Sequence, residues 1–480
     1  MSINLEAPLH WSNANADELR MLGNLQGNIL KGHGRHFTAN VFFAFDADKP
    51  QESRRLLREL ANYHLISAHR QLLQARAFKA SGVEGGPFCH LALSFKGYQA
   101  LGLEGDAPDD DDFRKGMQHA DSISALSDPS TDSWDAPFQA TFHAILLAAA
   151  ETESATGKLT GELVELIEDA GGQVLHIQRG KAIFNAVGEG IEHFGYVDGR
   201  SQPLMLVEDI ADEAEVGLSR WNPAFPLKTA LVPDPGAPDG FSFGSFFVFR
   251  KLEQDVRQFK LREQEIADIL ELTGEDRELA GAMLVGRFED GTPVTLSDRP
   301  RGQKLPNDFN YAEDPGSRCP FHSHIRKTNP RGSGGAEPEE DERSHLMARR
   351  GIPYEDTARA VHPAGLPTAH DLADFTARVA PLLPTGGVGL LFMAYNGRIR
   401  LQFRFTQNVW ADNPEFPIPG KHGIDPVIGQ GVNEAGVQVM PKAWDDPSAG
   451  TRDDCPFAGF VTMKGGEYFF SPSLTFLRNL

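Results

Sequence analysis

The feature that most constrains the fold is an alternation of short apolar runs with amphipathic segments over the first 180 residues. Apolar runs of this length are typical of buried strands, and leucines recurring at helical spacing between charged residues are typical of surface helices. The predicted strands are residues 37–45, 88–95, 141–148 and 173–178, and the predicted helices are residues 51–63 and 160–170. The order strand–helix–strand occurs twice along this part of the chain. It favours an antiparallel sheet with helices on one face.

A similar order begins again after the proline-rich stretch 223–238. Residues 241–250 resemble the first strand in their Phe and Val content, and residues 387–395 form a very apolar strand. The predicted helices of this part are a long charged segment, 252–272, and a shorter one, 398–410. We therefore predict an α+β fold of two ferredoxin-like halves with antiparallel sheets and peripheral helices, divided into residues 1–215 and 216–480.

Composition and charge exclude several classes of protein. The chain has 480 residues, 40% of them hydrophobic, which is enough for two or three cores. The formal net charge of −21 argues against nucleic-acid binding, because polyphosphate would be repelled. Cys89, Cys319 and Cys455 are too few and too far apart for a disulfide framework, so a reducing cytoplasm is predicted. The start resembles no secretory signal, and the longest apolar run, 144–150, is too short for a bilayer, so we predict a soluble protein without membrane contact.

The stretch richest in chemistry is Cys-Pro-Phe-His-Ser-His-Ile-Arg-Lys-Thr-Asn-Pro-Arg, residues 319–331. His322 and His324 each offer an imidazole nitrogen of the kind that holds a haem iron. The cations in this stretch, suited to carboxylates such as haem propionates, are Arg326, Lys327 and Arg331. Taken alone, the stretch is also compatible with a solvated surface loop. A zinc site on Cys319, His322 and His324 is less favoured, because no second cluster supplies a fourth ligand.

Two further segments add to this stretch. One is Gly-Tyr-Val-Asp-Gly, residues 195–199, and the other is Arg-Arg-Gly-Ile-Pro-Tyr, residues 349–354. Each alone is typical of a turn. Together, and in this order, the three segments resemble the signature, the haem-ligand segment and the distal-arginine segment of the dye-decolorizing (DyP-type) peroxidase family. Further matches at residues 26–30, 389–392 and 465–470 extend the resemblance over nearly the whole chain, in the manner of the larger bacterial and fungal members.

The resemblance implies a dimeric α+β barrel-like arrangement and one haem b per chain, with its iron bound by His324. His322 falls on a position that is usually small in the family, and it remains the local rival. Asp425 is implied as the hydrogen-bond partner of the ligand imidazole, which would strengthen that imidazole as a donor to iron.

On the distal face the resemblance implies Asp198 and Arg349, with Arg350 as the alternative at a shift of one residue. Leu390 and Phe392 lie two apart on a strand and therefore share one face, where they are implied to wall the distal pocket. Ordinary core packing is the alternative interpretation of these two side chains.

The predicted function is that of a haem peroxidase that reduces hydrogen peroxide and oxidises dyes, phenols or other small aromatic reductants by one-electron steps. Asp198 would move the peroxide proton, and Arg349 would stabilise charge during O–O cleavage. An aspartate base with an ordinary pKa of about 3.9 predicts an acidic optimum. For bulky dyes, the candidate electron relays are Trp221, Trp410, Trp444 and Tyr354, although ordinary core or surface packing is the favoured interpretation of each.

Three alternatives stay open. The first is a haem-handling or iron-releasing protein of the same fold without significant peroxidase turnover. The second is an acidic interaction protein without a cofactor, and the third is a zinc hydrolase built on His322 and His324. The sequence indicates neither the oligomeric state nor the natural reductant.

Overall fold

The computed structural model describes residues 3–215, 217–302, 307–357, 366–430 and 438–480. The strands are β1 (Phe37–Ala44), β2 (Phe88–Leu93), β3 (Ala144–Ala150), β4 (Gln173–Lys181), β5 (Ile183–Phe184), β6 (Gly190–Ile191), β7 (Val232–Pro233), β8 (Phe243–Gln254), β9 (Ala348–Arg349), β10 (Ile352–Glu355), β11 (Val388–Asn396), β12 (Gln438–Pro441), β13 (Thr451–Cys455) and β14 (Val461–Ser471). The α-helices are α1 (Ala16–Asn24), α2 (Pro50–Tyr63), α3 (Ala68–Ser81), α4 (Phe95–Ala100), α5 (Asp111–Lys115), α6 (Ala120–Leu126), α7 (Glu153–Asp169), α8 (Val207–Ala214), α9 (Val256–Ile269), α10 (Glu278–Val285), α11 (His324–Thr328), α12 (Glu339–Ser344), α13 (Leu372–Asp374), α14 (Phe403–Phe405) and α15 (Leu474–Asn479).

The main sheet has ten strands, and its path runs β10-β11-β8-β14-β2-β3-β1-β4 with antiparallel neighbours. The four strands of the amino-terminal half lie, by chain position, in the order second, third, first, fourth. The four path strands of the carboxyl-terminal half, β8, β10, β11 and β14, repeat that same order. This repeated ferredoxin-like order confirms the predicted α+β fold class. The division between residues 215 and 216 stays a prediction.

The two halves meet at both edges of their sheets. On one side, β14 pairs with β2 only through Phe470 and Leu93. On the other side, β4 approaches β10, where a Cβ on Gly180 would lie 2.6 Å from Cγ2 of Ile352. A glycine is therefore required for the approach at this seam. The sheet curls until its first and last strands are adjacent, as in a barrel.

Local sequence explains most elements and also their displaced ends. The eight residues of β1 form a largely buried apolar run between β3 and β4, and α2 begins with Pro50 in its first turn and buries Leu56, Leu57 and Leu60. The helix predicted from residue 252 begins instead at Val256, because β8 continues to Gln254, which pairs with Val461 of β14.

Two further helices begin at residues other than the predicted ones. The helix predicted at 160–170 begins earlier, at Glu153, since the Thr152 side chain caps its first turn. The helix predicted at 398–410 begins only at Phe403 and continues as a wider π-helical turn, Thr406–Ala411. In each case the centre of the predicted element was right, and the larger difference lies at its first residue.

Among the described residues, buried apolar side chains form two large clusters and a small third one of Ile66, Phe88, Leu147 and Ala149. Of the two large clusters, one lies under the main sheet and its helices, and the other surrounds α9 and α10. Among the helices that the structure describes, none combines the length and the apolar character that crossing a membrane requires.

Candidate active site

One cavity gathers the polar side chains that the sequence singled out. Its floor is a face of the main sheet, where Leu252 of β8 is paired with Leu390 of β11. The centre of a water molecule can reach about 220 Å³ of this cavity. Of the residues predicted from the sequence, those that line it are Asp198, His324, Arg331, Arg349, Leu390 and Phe392.

His324 begins the short helix α11, which lies against α10. Gly286, just after α10, has a φ of +98°, and a Cβ there would collide with the Ile325 side chain. Glycine therefore lets the histidine helix approach closely. Nδ1 of His324 lies 2.8 Å from Oδ2 of Asp425. Because a carboxylate only accepts hydrogen bonds, this nitrogen carries the proton. Nε2 is left unprotonated, with its lone pair available in the cavity.

Asp425 is fully buried and firmly held. Its Oδ1 accepts hydrogen bonds from the backbone N–H groups of Val427 and Ile428, at 2.8 and 2.9 Å. Burial alone would raise its pKa, but the adjacent His324 and the hydrogen bonds lower the pKa below its ordinary value. The carboxylate therefore stays charged and keeps the imidazole in one orientation.

His322, the rival histidine, is fully buried outside the cavity lining. Within the described structure neither of its ring nitrogens has a hydrogen-bond partner, and burial lowers its pKa to about 3. Of the three cations in this stretch, only Arg331 lines the cavity. Arg326 donates to the carbonyl of Cys319, and Lys327 donates to the carbonyl oxygens of Trp410, Asn413 and Phe416. Arg326 and Lys327 therefore anchor the helix that begins at His324.

Asp198 lies on a loop bracketed by Gly195 and Gly199, whose φ angles of +99° and +81° favour glycine. Its Oδ1 accepts a hydrogen bond from the N–H of Gly199 at 2.7 Å. Glu192 organises the same loop, because its carboxylate accepts from the N–H groups of Phe194 and Tyr196. Burial raises the pKa of Glu192 to about 7.

The two adjacent arginines diverge. Arg349 lines the cavity, its Nη2 donates to the carbonyl of Arg200, and its N–H donates to Oε1 of Gln202. Arg350 turns away and donates to the carbonyls of Asn28 and Ile29. The cavity therefore receives Arg349, tied to the Asp198 loop.

Leu390 and Phe392 are partly buried and share the cavity face of β11. Opposite Phe392, Arg250 of β8 forms a bidentate ion pair with the fully buried Asp128. The wall that Leu390 and Phe392 form is apolar, and the charge of Arg250 beside it is neutralised by Asp128.

Comparison with known proteins identifies the family that has this arrangement. Residues 24–181 match the DyP dimeric alpha+beta barrel domain. The chain is 46% identical to the multifunctional dye peroxidase DyP2 of Amycolatopsis sp., over all of both chains. The chain belongs to the dye-decolorizing peroxidase family. It is thus an enzyme of the DyP type.

Further relatives agree. The chain is 31% identical to the dye-decolorizing peroxidase msp1 of Mycetinis scorodonius, covering 96% of this chain and 87% of that one. The solved structure of DyP2 superposes with a TM-score of 0.92 at 44% identity, covering both chains completely. The DyP-type peroxidase of Anabaena sp. superposes with a TM-score of 0.87 at 35% identity, covering 98% of this chain and 96% of that one.

DyP-type peroxidases depend on haem, and the cavity offers groups that fit it. Arg287 and Arg331 lie side by side, both donating to Oγ of Ser201 and Oδ1 of Asn307. Burial lowers their pKa values to about 10 and about 9. Neither forms an ion pair with a carboxylate in the part of the chain that the structure describes. Two buried cations without an anion suit the two propionates of a haem.

Several cavity residues escaped sequence analysis. They are Glu192, Tyr196, Gln254 and Arg287. Tyr196 stands inside the quoted glycine-bracketed motif, which was the only signal for any of them. The four electron relays predicted from the sequence do not line the cavity. Trp221, Trp410 and Tyr354 are buried, and Trp444 is half-buried.

Proposed function

We propose that this DyP-type peroxidase binds one haem b per chain through Nε2 of His324. Arg287 and Arg331 would hold its propionates. The single observation that carries the proposal is that His324, oriented by Asp425, shares one cavity with Asp198 and Arg349. The haem iron, when bound, supplies the centre where peroxide is cleaved and oxidising equivalents are stored.

The residues of this chain then act on the peroxide. Asp198 accepts the proton of the incoming peroxide at a carboxylate oxygen and delivers it to the departing oxygen. The guanidinium of Arg349 stabilises the negative charge that develops on that oxygen. Leu390 and Phe392 would give the site an apolar wall.

The reductants proposed are dyes, phenols and other small aromatic molecules, each giving one electron. Dye oxidation is what the relatives' names describe. We propose a cytoplasmic setting as well, because all three cysteines are buried free thiols.

An absorption spectrum of the purified holoenzyme and two variants tests the proposal. We expect a Soret band in the wild type, its loss in His324→Ala, and its retention in His322→Leu, which keeps a buried side chain of similar size. Peroxide added with a dye should bleach the dye. A protein that binds haem but consumes no peroxide would instead be a haem-handling member of this fold. A Soret band that survives His324→Ala but not His322→Leu would reverse the ligand assignment.

A further inference from the structure

Ser201 lies three residues after Asp198 in the same loop and lines the cavity. Its φ angle is +60°, a backbone conformation that serine rarely adopts unless its surroundings hold it there. The Ser201 hydroxyl donates to Oδ1 of Asn307 at 2.9 Å. The same hydroxyl oxygen accepts from Nη2 of Arg287 at 3.1 Å and from Nη2 of Arg331 at 2.8 Å. The Asp198 loop is therefore tied to the two guanidiniums proposed to hold the haem propionates.

The neighbours of Ser201 in this loop hold Arg349. The carbonyl oxygen of Arg200 accepts from Nη2 of Arg349 at 2.8 Å. Oε1 of Gln202 accepts from the backbone N–H of Arg349 at 3.0 Å. One short loop therefore connects the proposed proton acceptor, the proposed charge-stabilising arginine and the cations of the propionate site.

The guanidinium of Arg331 already uses most of its five N–H donors within the protein. Its Nη1 donates to the carbonyl oxygens of Asn307 and Phe309, and its Nη2 donates to Oγ of Ser201 and Oδ1 of Asn307. A carboxylate that binds a guanidinium with both oxygens takes Nη2 together with either Nε or Nη1. Such a carboxylate therefore takes an N–H group that the Ser201–Asn307 pair now holds.

Charge explains why an anion at this place would matter to the loop. Arg287 and Arg331 are buried, and both donate to the same two oxygens, so two positive charges lie close together. Like charges in a buried site repel each other strongly, and a carboxylate between them removes that repulsion. The Ser201 hydroxyl spans the two cations and can rotate, so it responds directly to the loss of repulsion.

We propose that Ser201 is the positioning residue through which bound haem fixes the Asp198 loop. When carboxylates neutralise the two arginines, the network around the Ser201 hydroxyl tightens. The loop then holds the Asp198 carboxylate and the Arg349 guanidinium where the reaction with peroxide needs them. Ser201 itself does not act on peroxide. This coupling deepens the proposed haem peroxidase function and rests on it.

Hydrogen–deuterium exchange of the apoprotein and the haem-loaded protein tests the coupling. In the wild type, haem should slow amide exchange within residues 198–202 by about tenfold or more. In Ser201→Ala this haem-dependent slowing should be lost, and the slowing in a peptide around His324 should be kept. A hydroxyl with a merely structural role would instead speed exchange equally with and without haem, so the haem-dependent difference would remain.

Two further variants and an altered cofactor sharpen the test. Ser201→Gly removes the hydroxyl but accommodates the positive φ, so it should behave as Ser201→Ala does. Ser127→Ala is the matched control, because Ser127 has a φ of +52° and does not line the cavity. Haem dimethyl ester keeps the iron and the ring but lacks the propionate charges. Wild-type protein loaded with the ester should therefore exchange as Ser201→Ala loaded with haem does.

Kinetics give an independent readout. At equal haem occupancy, Ser201→Ala should slow the reaction with peroxide by about tenfold, because the acid–base group is no longer held in place. Combined with Asp198→Asn, the same substitution should add little, since it acts through Asp198.

Haem-dependent slowing that persists in Ser201→Ala and Ser201→Gly would overturn the coupling, as would a wild-type loop that exchanges equally with and without haem. If Ser201→Ala does not take up haem, Ser201→Gly and the ester decide by the same criteria. The proposed function fails separately: it is lost if the wild type shows no Soret band or does not react with peroxide.

Discussion

Two carboxyl groups near the same cavity, one fully and one partly buried, have pKa values shifted in opposite directions. Asp425, hydrogen-bonded to His324, has a lowered pKa despite burial, because His324 and two backbone N–H groups stabilise its charge. Glu192, on the loop that carries Asp198, also receives backbone N–H groups, but burial dominates and raises its pKa to about 7. The difference lies in the neighbouring group: Asp425 accepts a hydrogen bond from His324, whereas Glu192 lies near the Asp198 carboxylate, which raises the Glu192 pKa further.

The comparison distinguishes two sides of the cavity. We call the surroundings of His324 and Asp425 the closed side and the loop that carries Asp198 the open side. Behind His324, the surrounding carbonyls and carboxylates are matched by donors, including the three carbonyls that accept from Lys327. Asp198, by contrast, is exposed, and among the described residues its carboxylate accepts a hydrogen bond from the N–H of Gly199 in its own loop. Substitutions on the closed side should therefore loosen the cofactor, and those on the open side should slow the reaction.

The largest effect is expected from Asp198→Asn, which removes the proton acceptor with little change of shape. The rate constant for the reaction with peroxide should fall by about 10²- to 10⁴-fold. Stopped-flow measurement of that step checks it, with the Soret band showing that haem is retained. Asp169→Asn, at an exposed position in α7, is the surface control. A loss of only a few-fold would remove Asp198 from the acid–base role.

Arg349→Leu comes next. Loss of its guanidinium should slow the peroxide step by about 10²- to 10³-fold, because a donor aimed at developing charge is lost. Arg350→Lys is the matched control, since that side chain bonds to the carbonyls of residues 28 and 29 instead of lining the cavity. The opposite ranking of the two variants would exchange their assigned roles.

Glu192→Gln sharpens the contrast between the carboxyls through pH. Burial raises the Glu192 pKa from 4.5 to about 7, so the folded state holds a proton that the unfolded state releases between those values. The stability from this group is present below about pH 4.5 and lost as pH rises through 7. The fall in unfolding free energy from pH 5 to pH 8 should be smaller by roughly 3 kcal/mol in Glu192→Gln.

Denaturant titrations at the two pH values measure that difference. Glu165→Gln, at an exposed position in α7, should leave the pH dependence of the wild type unchanged. Equal slopes for Glu192→Gln and the wild type would mean that Glu192 is ionised in the folded protein, as Asp425 is.

Asp425→Asn should have the smallest effect of the four. Asparagine keeps an acceptor for Nδ1 of His324 but loses the charge, and such partners typically contribute about 10- to 100-fold in affinity or activity. Transfer of haem to excess apomyoglobin should be faster in this variant and unchanged in Asp198→Asn. Equal transfer rates in the two variants would abolish the distinction between the closed and the open side.

Much of the fold could be predicted because its strands are locally encoded. The strand at Phe37–Ala44 and the helix at Pro50–Tyr63 differ from the predicted ranges by one residue at an end. The end of β8 could not be predicted, because its last residue, Gln254, stays in the sheet through its partner Val461 in β14. Charged residues after residue 252 have the same helical pattern whether or not a neighbouring strand is present.

The candidate site could likewise be predicted only in part. Its reactive side chains were found because glycines, histidines and arginines stand in long segments resembling those of one family. Arg287 and Tyr196 were not, because a buried arginine or tyrosine has no distinctive spacing. The functional roles of Asp198, His324, Arg349, Leu390, Phe392 and Asp425 stay predictions, although the structure brings five of them to one cavity and places the sixth against His324.

By itself, the sequence determined the order of strands and helices and the chemical groups available, because both depend on neighbours a few residues apart. Only the tertiary structure decided that His324 and not His322, and Arg349 and not Arg350, reach the cavity. It alone joined Ser201 to Arg331 across 130 positions. The physical reason is that local spacing sets the direction of a side chain relative to its own backbone. What that side chain meets depends on how distant segments pack around it.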